Sequence, residues 1–145
     1  MVFIKNRTPF KALVGIKPSA AISFLSDLYG GSASDREIRV SSGIIDLLAP
    51  GDSLMADKGF TVQDVCDAHG VKLNIPPFIR DEQLSHDDLV ATRRIVSLRI
   101  HVEHAMERIK KYHILDFIPA HFFDIADEVF IVCALLSDFD KALVG

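Results

Sequence analysis

The stretch FKALVGIKPSAAISFLSDL, from Phe10 to Leu28, decides the fold. Two apolar runs, 10–16 and 20–28, flank Lys17-Pro18-Ser19, and a short proline-containing connector between such runs predicts a β-hairpin. After a glycine loop at 29–33, Ser34 and Glu37 stand at S-x-x-E spacing, a capping box that opens a helix. That helix is expected to run through Ile38 and on toward Leu48, where Pro50-Gly51 ends it. SLMAD at 53–57 predicts a short strand finishing in an acid, residues 61–69 a short helix closed by Gly70, and 71–75 another strand. Strands alternating with helices indicate a mixed α/β layer fold.

Residues 76–83, opening on Pro76-Pro77, are expected to form a loop. The longest helical signal follows at 85–112, with a second S-x-x-D cap at Ser85 and Asp88. Its apolar positions Leu89, Ile95, Leu98, Val102, Met106 and Ile109 keep the spacing of one buried stripe. A last apolar helix over 124–139 is expected to pack under the sheet.

With 145 residues, 49% of them apolar, the chain suits one domain with a packed core. The longest uninterrupted apolar run, Val129 to Leu136, falls well short of the ~20 residues of a membrane span, so no membrane partner is expected. The start, MVFIKNRTPF, lacks the apolar core of a signal peptide, and residues 1–9 read as irregular. Cys66 and Cys133 stand far apart, giving neither a disulfide framework nor a zinc ribbon, and a reducing compartment fits best.

Net charge is −4, yet the segment from Val90 to His113 carries Arg93, Arg94, Arg99, Arg108, Lys110 and Lys111 against only Glu103 and Glu107. A locally basic helix on an acidic body is the footprint of a polyanion-facing surface, and equally of a solvated helix face. At ~100° per residue Arg99, Lys110 and Glu103 fall together at one edge of the buried stripe. Asp57 stands where a strand end gives way to a glycine turn, a position where functional groups gather in α/β sheets. Two converging carboxylates make a hard-oxygen site suited to Mg²⁺ or Mn²⁺. The same residues also fit a plain i, i+4 ion pair between Arg99 and Glu103 and an ordinary turn aspartate.

The segments FKALVGIKPSAAISFLSDLYGGSASDREI, PGDSLMADKGF, VKLNIPPF and TRRIVSLRIHVEHAMERIKKYHIL resemble the catalytic domain of DDE-superfamily transposases, Harbinger-like in type, over about residues 10–139. The resemblance implies a ribonuclease-H-like mixed sheet flanked by helices, occupying 10–145. It also implies divalent-metal-dependent DNA cleavage and strand transfer, DNA as partner, and residence in the nucleus. Carried over by position, Asp57 in ADKGF is the second aspartate of the metal triad and Glu103 in RIHVE its glutamate, with Glu107 the next choice. Lys58, Arg99 and Lys110 are the first candidates for phosphate contacts.

The triad's first aspartate would end a strand upstream of the hairpin, and residues 1–9 hold no acid. The resemblance therefore implies a domain truncated at its N-terminus, missing its first strand and one metal carboxylate, and inactive alone. Asp27 and Asp35 are the only nearby substitutes; Asp35 already serves a helix start. A missing strand would leave an open sheet edge for a homo-oligomer or protein partner, so the alternative is a DNA- or protein-binding module without catalysis. His101, His104 and His113 match no zinc motif and are expected to face solvent or phosphate, while Phe122, Phe123 and Phe130 are expected in the core.

Overall fold

The computed structural model describes residues 2–5, 10–56, 62–74 and 86–139. Its strands are β1 (Val2–Lys5), β2 (Phe10–Ile16), β3 (Ile22–Leu25), β4 (Tyr29–Gly30), β5 (Ser53–Met55) and β6 (Lys72–Asn74). Its helices are α1 (Asp35–Ser41), α2 (Gln63–Ala68), α3 (His86–Lys110) and α4 (Ala126–Phe139), with 3-10 turns at Ile45–Leu47, His113–Leu115 and Ala120–Ile125. The architecture is mixed α/β: an antiparallel sheet ordered β1-β2-β3 with β4 also on β2, a parallel pair β5-β6, and helices around them.

The expected hairpin is present, with β2 and β3 antiparallel. Gly15 is required where they meet, because a Cβ there would lie 2.9 Å from the Phe24 Cβ. The turn carries Ala20 at φ 67°, a left-handed conformation uncommon outside glycine. At the far end of β3 the ladder is handed to a side chain. Buried Ser26 accepts the Leu13 N–H at 2.8 Å and donates to the Asp27 carbonyl at 2.8 Å, so its own hydroxyl and the Leu13 donor are both satisfied.

One expectation is corrected at the N-terminus. Residues 2–5 are not irregular, and the sheet does not lack a strand ahead of the hairpin. Val2, Phe3, Ile4 and Lys5 pair antiparallel with Val14, Leu13, Ala12 and Lys11. The physical reason is the β-favouring run Val-Phe-Ile, which stands in register with an apolar strand. β2 is thus a central strand rather than an open edge, and VFIK contains no acid.

Being central, β2 is buried on both faces. Ala12 and Val14 face one core with Val102, Met106 and Ile109 of α3 and Phe130, Cys133 and Ala134 of α4. Leu13 faces the opposite core with Ile38 of α1, Val62 and Cys66 at α2, and Ala56 and Val71 beside the parallel pair. The helix expected over 34–48 divides: α1 ends at Ser41, Gly43 takes φ 77°, and a 3-10 turn carries Ile45 inward. Its capping box forms as expected, with Ser34 accepting from the Glu37 N–H.

The outer edge of β3 is closed by α4. Asp138 accepts the Ile22 N–H at 3.1 and 3.2 Å through its two oxygens, and Asp127 accepts the Leu28 N–H at 2.6 Å. Spaced three helical turns apart, the two acids share one flank of α4 and reach the start of β3 and the segment beyond its end. They satisfy backbone donors that an edge strand otherwise offers to other chains.

Two outcomes are expected. Leu13→Ala should lower unfolding free energy by about 2–5 kcal/mol in urea denaturation, the range for a fully buried leucine. Asp127→Ala, which removes the acceptor, should cost about 1–2 kcal/mol, with the loss of hydrogen-exchange protection confined to the Leu28 N–H and its neighbours.

Candidate functional site

Two elements carry the residues singled out by sequence. β5 is held from both ends: the Asp52 carboxylate accepts the Ala49 N–H at 2.8 Å, and the Lys72 N–H donates to the Asp52 carbonyl at 2.8 Å. At the other end the buried Ala56 donates its N–H to the Asn74 carbonyl at 3.1 Å, extending the parallel ladder one residue beyond β5. Asn74 also donates from its side chain to Ser53 Oγ across the pair. The chain therefore leaves a fixed, parallel strand end at Ala56. Asp57 and Lys58, which come next, lie outside the described residues, as do residues 75–85 with the expected loop and the Ser85 cap.

α3 is the second element. Val102, Ala105, Met106 and Ile109 are buried and fix its rotation against the sheet, and Leu98 is half-buried. With the stripe inward, Arg99, Glu103, Glu107 and Lys110 are all exposed. For Arg99, Glu103 and Lys110, which the helical wheel sets just outside the buried stripe, exposure is the expected state. His101 and His104 are half-buried rather than solvent-facing, whereas His113 is exposed and bonds Asp116 at 2.9 Å.

The basic face is smaller than charge counting implies. Arg108 is only 8% exposed and turns inward, its Nη2 donating to the Ala20 carbonyl at 3.4 Å beneath the β2–β3 turn, with no hydrogen-bond partner at Nε among the described residues. It supports the strained turn and does not face a polyanion. Nothing local in the sequence marks it, because the contact spans 88 residues.

Carboxylates divide into those the fold uses and those it leaves. Asp35 pairs with Lys11 at 3.3 Å, Asp64 with Arg36 at 2.7 Å, Asp46 with His69 at 3.5 Å, and Asp116 with His113. The Arg36 guanidinium holds the Asp64 carboxyl below its ordinary range. Asp127 and Asp138 clamp β3, and Asp67 accepts from Gln63 at 2.6 Å. Among the described residues no ion pair joins Arg99 to Glu103, and no hydrogen bond or ion pair engages the carboxylates of Glu103, Glu107 or Asp27. Asp35 is thus a scaffold acid, as expected, and Glu103 is uncommitted among them.

No group of three His, Cys, Asp or Glu that could hold a metal is found among the described residues. Both thiols are buried, and burial pushes each above its ordinary value, with Asp67 and Asp64 adding to the rise at Cys66. Protonated, buried thiols are poor metal ligands. No described helix is long and apolar enough to cross a membrane.

Sequence reasoning misses the clamp formed by Asp127 and Asp138; their separation by three helical turns is the one signal that could reveal it. Of the aromatic residues expected inside, Phe130 is buried, while Phe122 and Phe123 stand nearly half exposed, Phe123 edge-on to Phe10 at 5.0 Å. No curated protein and no solved structure matches the chain. A family model described as DDE superfamily endonuclease matches residues 3–138, nearly the whole length, and the chain belongs to that family.

Proposed function

We propose that this is a transposase-derived endonuclease domain of ribonuclease-H-like fold in which Asp57 and Glu103 hold a divalent ion, Mg²⁺ or Mn²⁺, against DNA. The observation that carries the reading is Glu103 itself. It is an exposed carboxylate, uncommitted among the described residues, on a helix whose rotation is fixed by a buried stripe, with Arg99 and Lys110 exposed on the same edge. A carboxylate that the fold does not consume is the donor a hard cation needs. The antiparallel β1-β2-β3 sheet followed by a parallel pair and α3 supports the ribonuclease-H-like arrangement. Residence in the nucleus is what the resemblance to Harbinger-like transposases implies.

The chemistry attributed to the family is hydrolysis and strand transfer at phosphodiesters, and a bound divalent ion would supply Lewis acidity and a more acidic water. The chain's own residues do the positioning. Glu103 and Asp57 contribute charge and hard oxygens. Arg99, Lys110 and Lys58 neutralise phosphates and set the register of the duplex. Asp57 and Glu103 are two of the three carboxylates that the resemblance implies, and catalytic units of this kind fail together when one member is lacking. Cleavage by this chain alone is accordingly expected to be negligible.

Isothermal titration with Mn²⁺ should show weak binding that falls at least ~10-fold in Asp57→Asn and in Glu103→Gln, as loss of a metal ligand does. Unchanged binding in both variants would remove the metal reading. A binding module without catalysis would then remain, recognised by salt-dependent DNA affinity that neither variant alters.

DNA affinity should decline with salt, and Arg99→Ala or Lys110→Ala should each weaken it uniformly across sequences and reduce the salt slope by about 1. Supercoiled DNA with Mg²⁺ or Mn²⁺ should stay un-nicked. Robust nicking abolished by Asp57→Ala would show instead that two carboxylates suffice.

A further inference from the structure

α4 is apolar on both sides. Phe130, Cys133, Ala134 and Ser137 line its core face. On the opposite side Val132, Leu135, Leu136 and Phe139 are 54, 49, 47 and 85% exposed. At ~100° per residue these four fall within an arc of about 100°, centred opposite Phe130, at the i, i+3, i+4, i+7 spacing of a helix-pairing seam. The flanking Val129 and Ile131 are half-buried and widen the stripe, and Glu128 is the only charged residue within that arc. A helix apolar all round is normally covered all round.

We propose that this face pairs with the same face of a second copy, α4 against α4 in antiparallel orientation. Three observations select that occupant. The stripe is self-complementary: about a two-fold axis between positions 135 and 136, Leu135 meets the second copy's Leu136 and Val132 meets its Phe139. The exposed area is sufficient, since the four side chains offer on the order of 500 Å² per copy and so ~1,000 Å² in all, the lower bound of a specific interface. Charge fixes the direction. Antiparallel pairing sends the two Glu128 carboxylates to opposite ends of the seam, whereas parallel pairing would set them against each other without a cation between. Asp127 and Asp138 fall about 60–80° from Phe130, outside that arc, and are turned toward the β3 side.

Sedimentation velocity of the full chain tests this. The weight-average mass should climb toward twice the monomer with a dissociation constant on the order of 10 µM, the weak end expected of so small an interface. Leu136→Lys, half-exposed in the monomer, should remain monomeric at every concentration with an unchanged circular dichroism spectrum. Leu136→Cys should oxidise to a covalent dimer, since that position sits beside the axis, while Glu128→Cys should not; Cys66 and Cys133 are buried and do not interfere. A wild type that stays monomeric at ~200 µM, well above that dissociation constant, would overturn the proposal and assign the face to another partner. So would dimerisation undiminished by Leu136→Lys, or cross-linking at position 128 in place of 136.

Discussion

A strand buried on both faces organises this molecule. Alternate residues of β2 point into two separate cores, Leu13 into one and Ala12 and Val14 into the other. Neither core could form against a strand that was solvated on one side. Covering both faces requires α3 and α4 on one side, and α1 with the β5-α2-β6 unit on the other. It also requires neighbours along both edges of β2, and β1 and β3 supply them. The near-continuous apolar character of FKALVGI follows from this position, because an outward-facing polar residue would have no water to meet.

From that constraint the exposed chemistry follows. α3 must present Val102, Met106 and Ile109 to β2, and once it does, Glu103 and Arg99 have no freedom to turn inward. The same rotation carries Arg108 under the β2–β3 turn, where one guanidinium nitrogen supports the carbonyl of the left-handed Ala20. The basic helix thus performs two jobs. Arg108 braces a strained turn, while Arg99 and Lys110 stay exposed. Counting charge along a helix cannot separate these jobs; only the register of the buried stripe does.

Much of this is legible in the amino-acid sequence. The Pro-containing hairpin, the Ser34–Glu37 capping box, the strand ahead of Asp57 and the helical stripe of α3 all rest on local patterns, where residues a few positions apart decide the outcome. β1 escapes such reading because its pairing with β2, rather than any pattern within its own residues, stabilises it as a strand. The helix after the capping box is shorter than its pattern suggests because Gly43 interrupts it with a positive φ. Asp127, Asp138 and Arg108 act across separations of 88 to 116 residues, and no local pattern reports such contacts. At the candidate site the helix edge bearing Glu103 is readable from periodicity, whereas which acids the fold consumes is not. Asp64 and Asp35 look no different in sequence from Glu103 until Arg36 and Lys11 arrive beside them.

The two polar commitments of α4 bear on how the domain could associate. A sheet edge and an apolar helix face are the two usual routes by which a small α/β domain recruits another chain. On the β3 side the first route is hindered, because Asp138 occupies the Ile22 donor at the start of the strand and Asp127 the Leu28 donor beyond its end. An incoming strand would have to displace a 2.6 Å hydrogen bond to a carboxylate and leave that charge without its donor. Burying Val132, Leu136 and Phe139 requires no such exchange, since apolar surface leaves water with nothing to replace. The helix that protects the edge is therefore also the one whose remaining face is easiest to cover, with Glu128 the one charged residue on its outer seam.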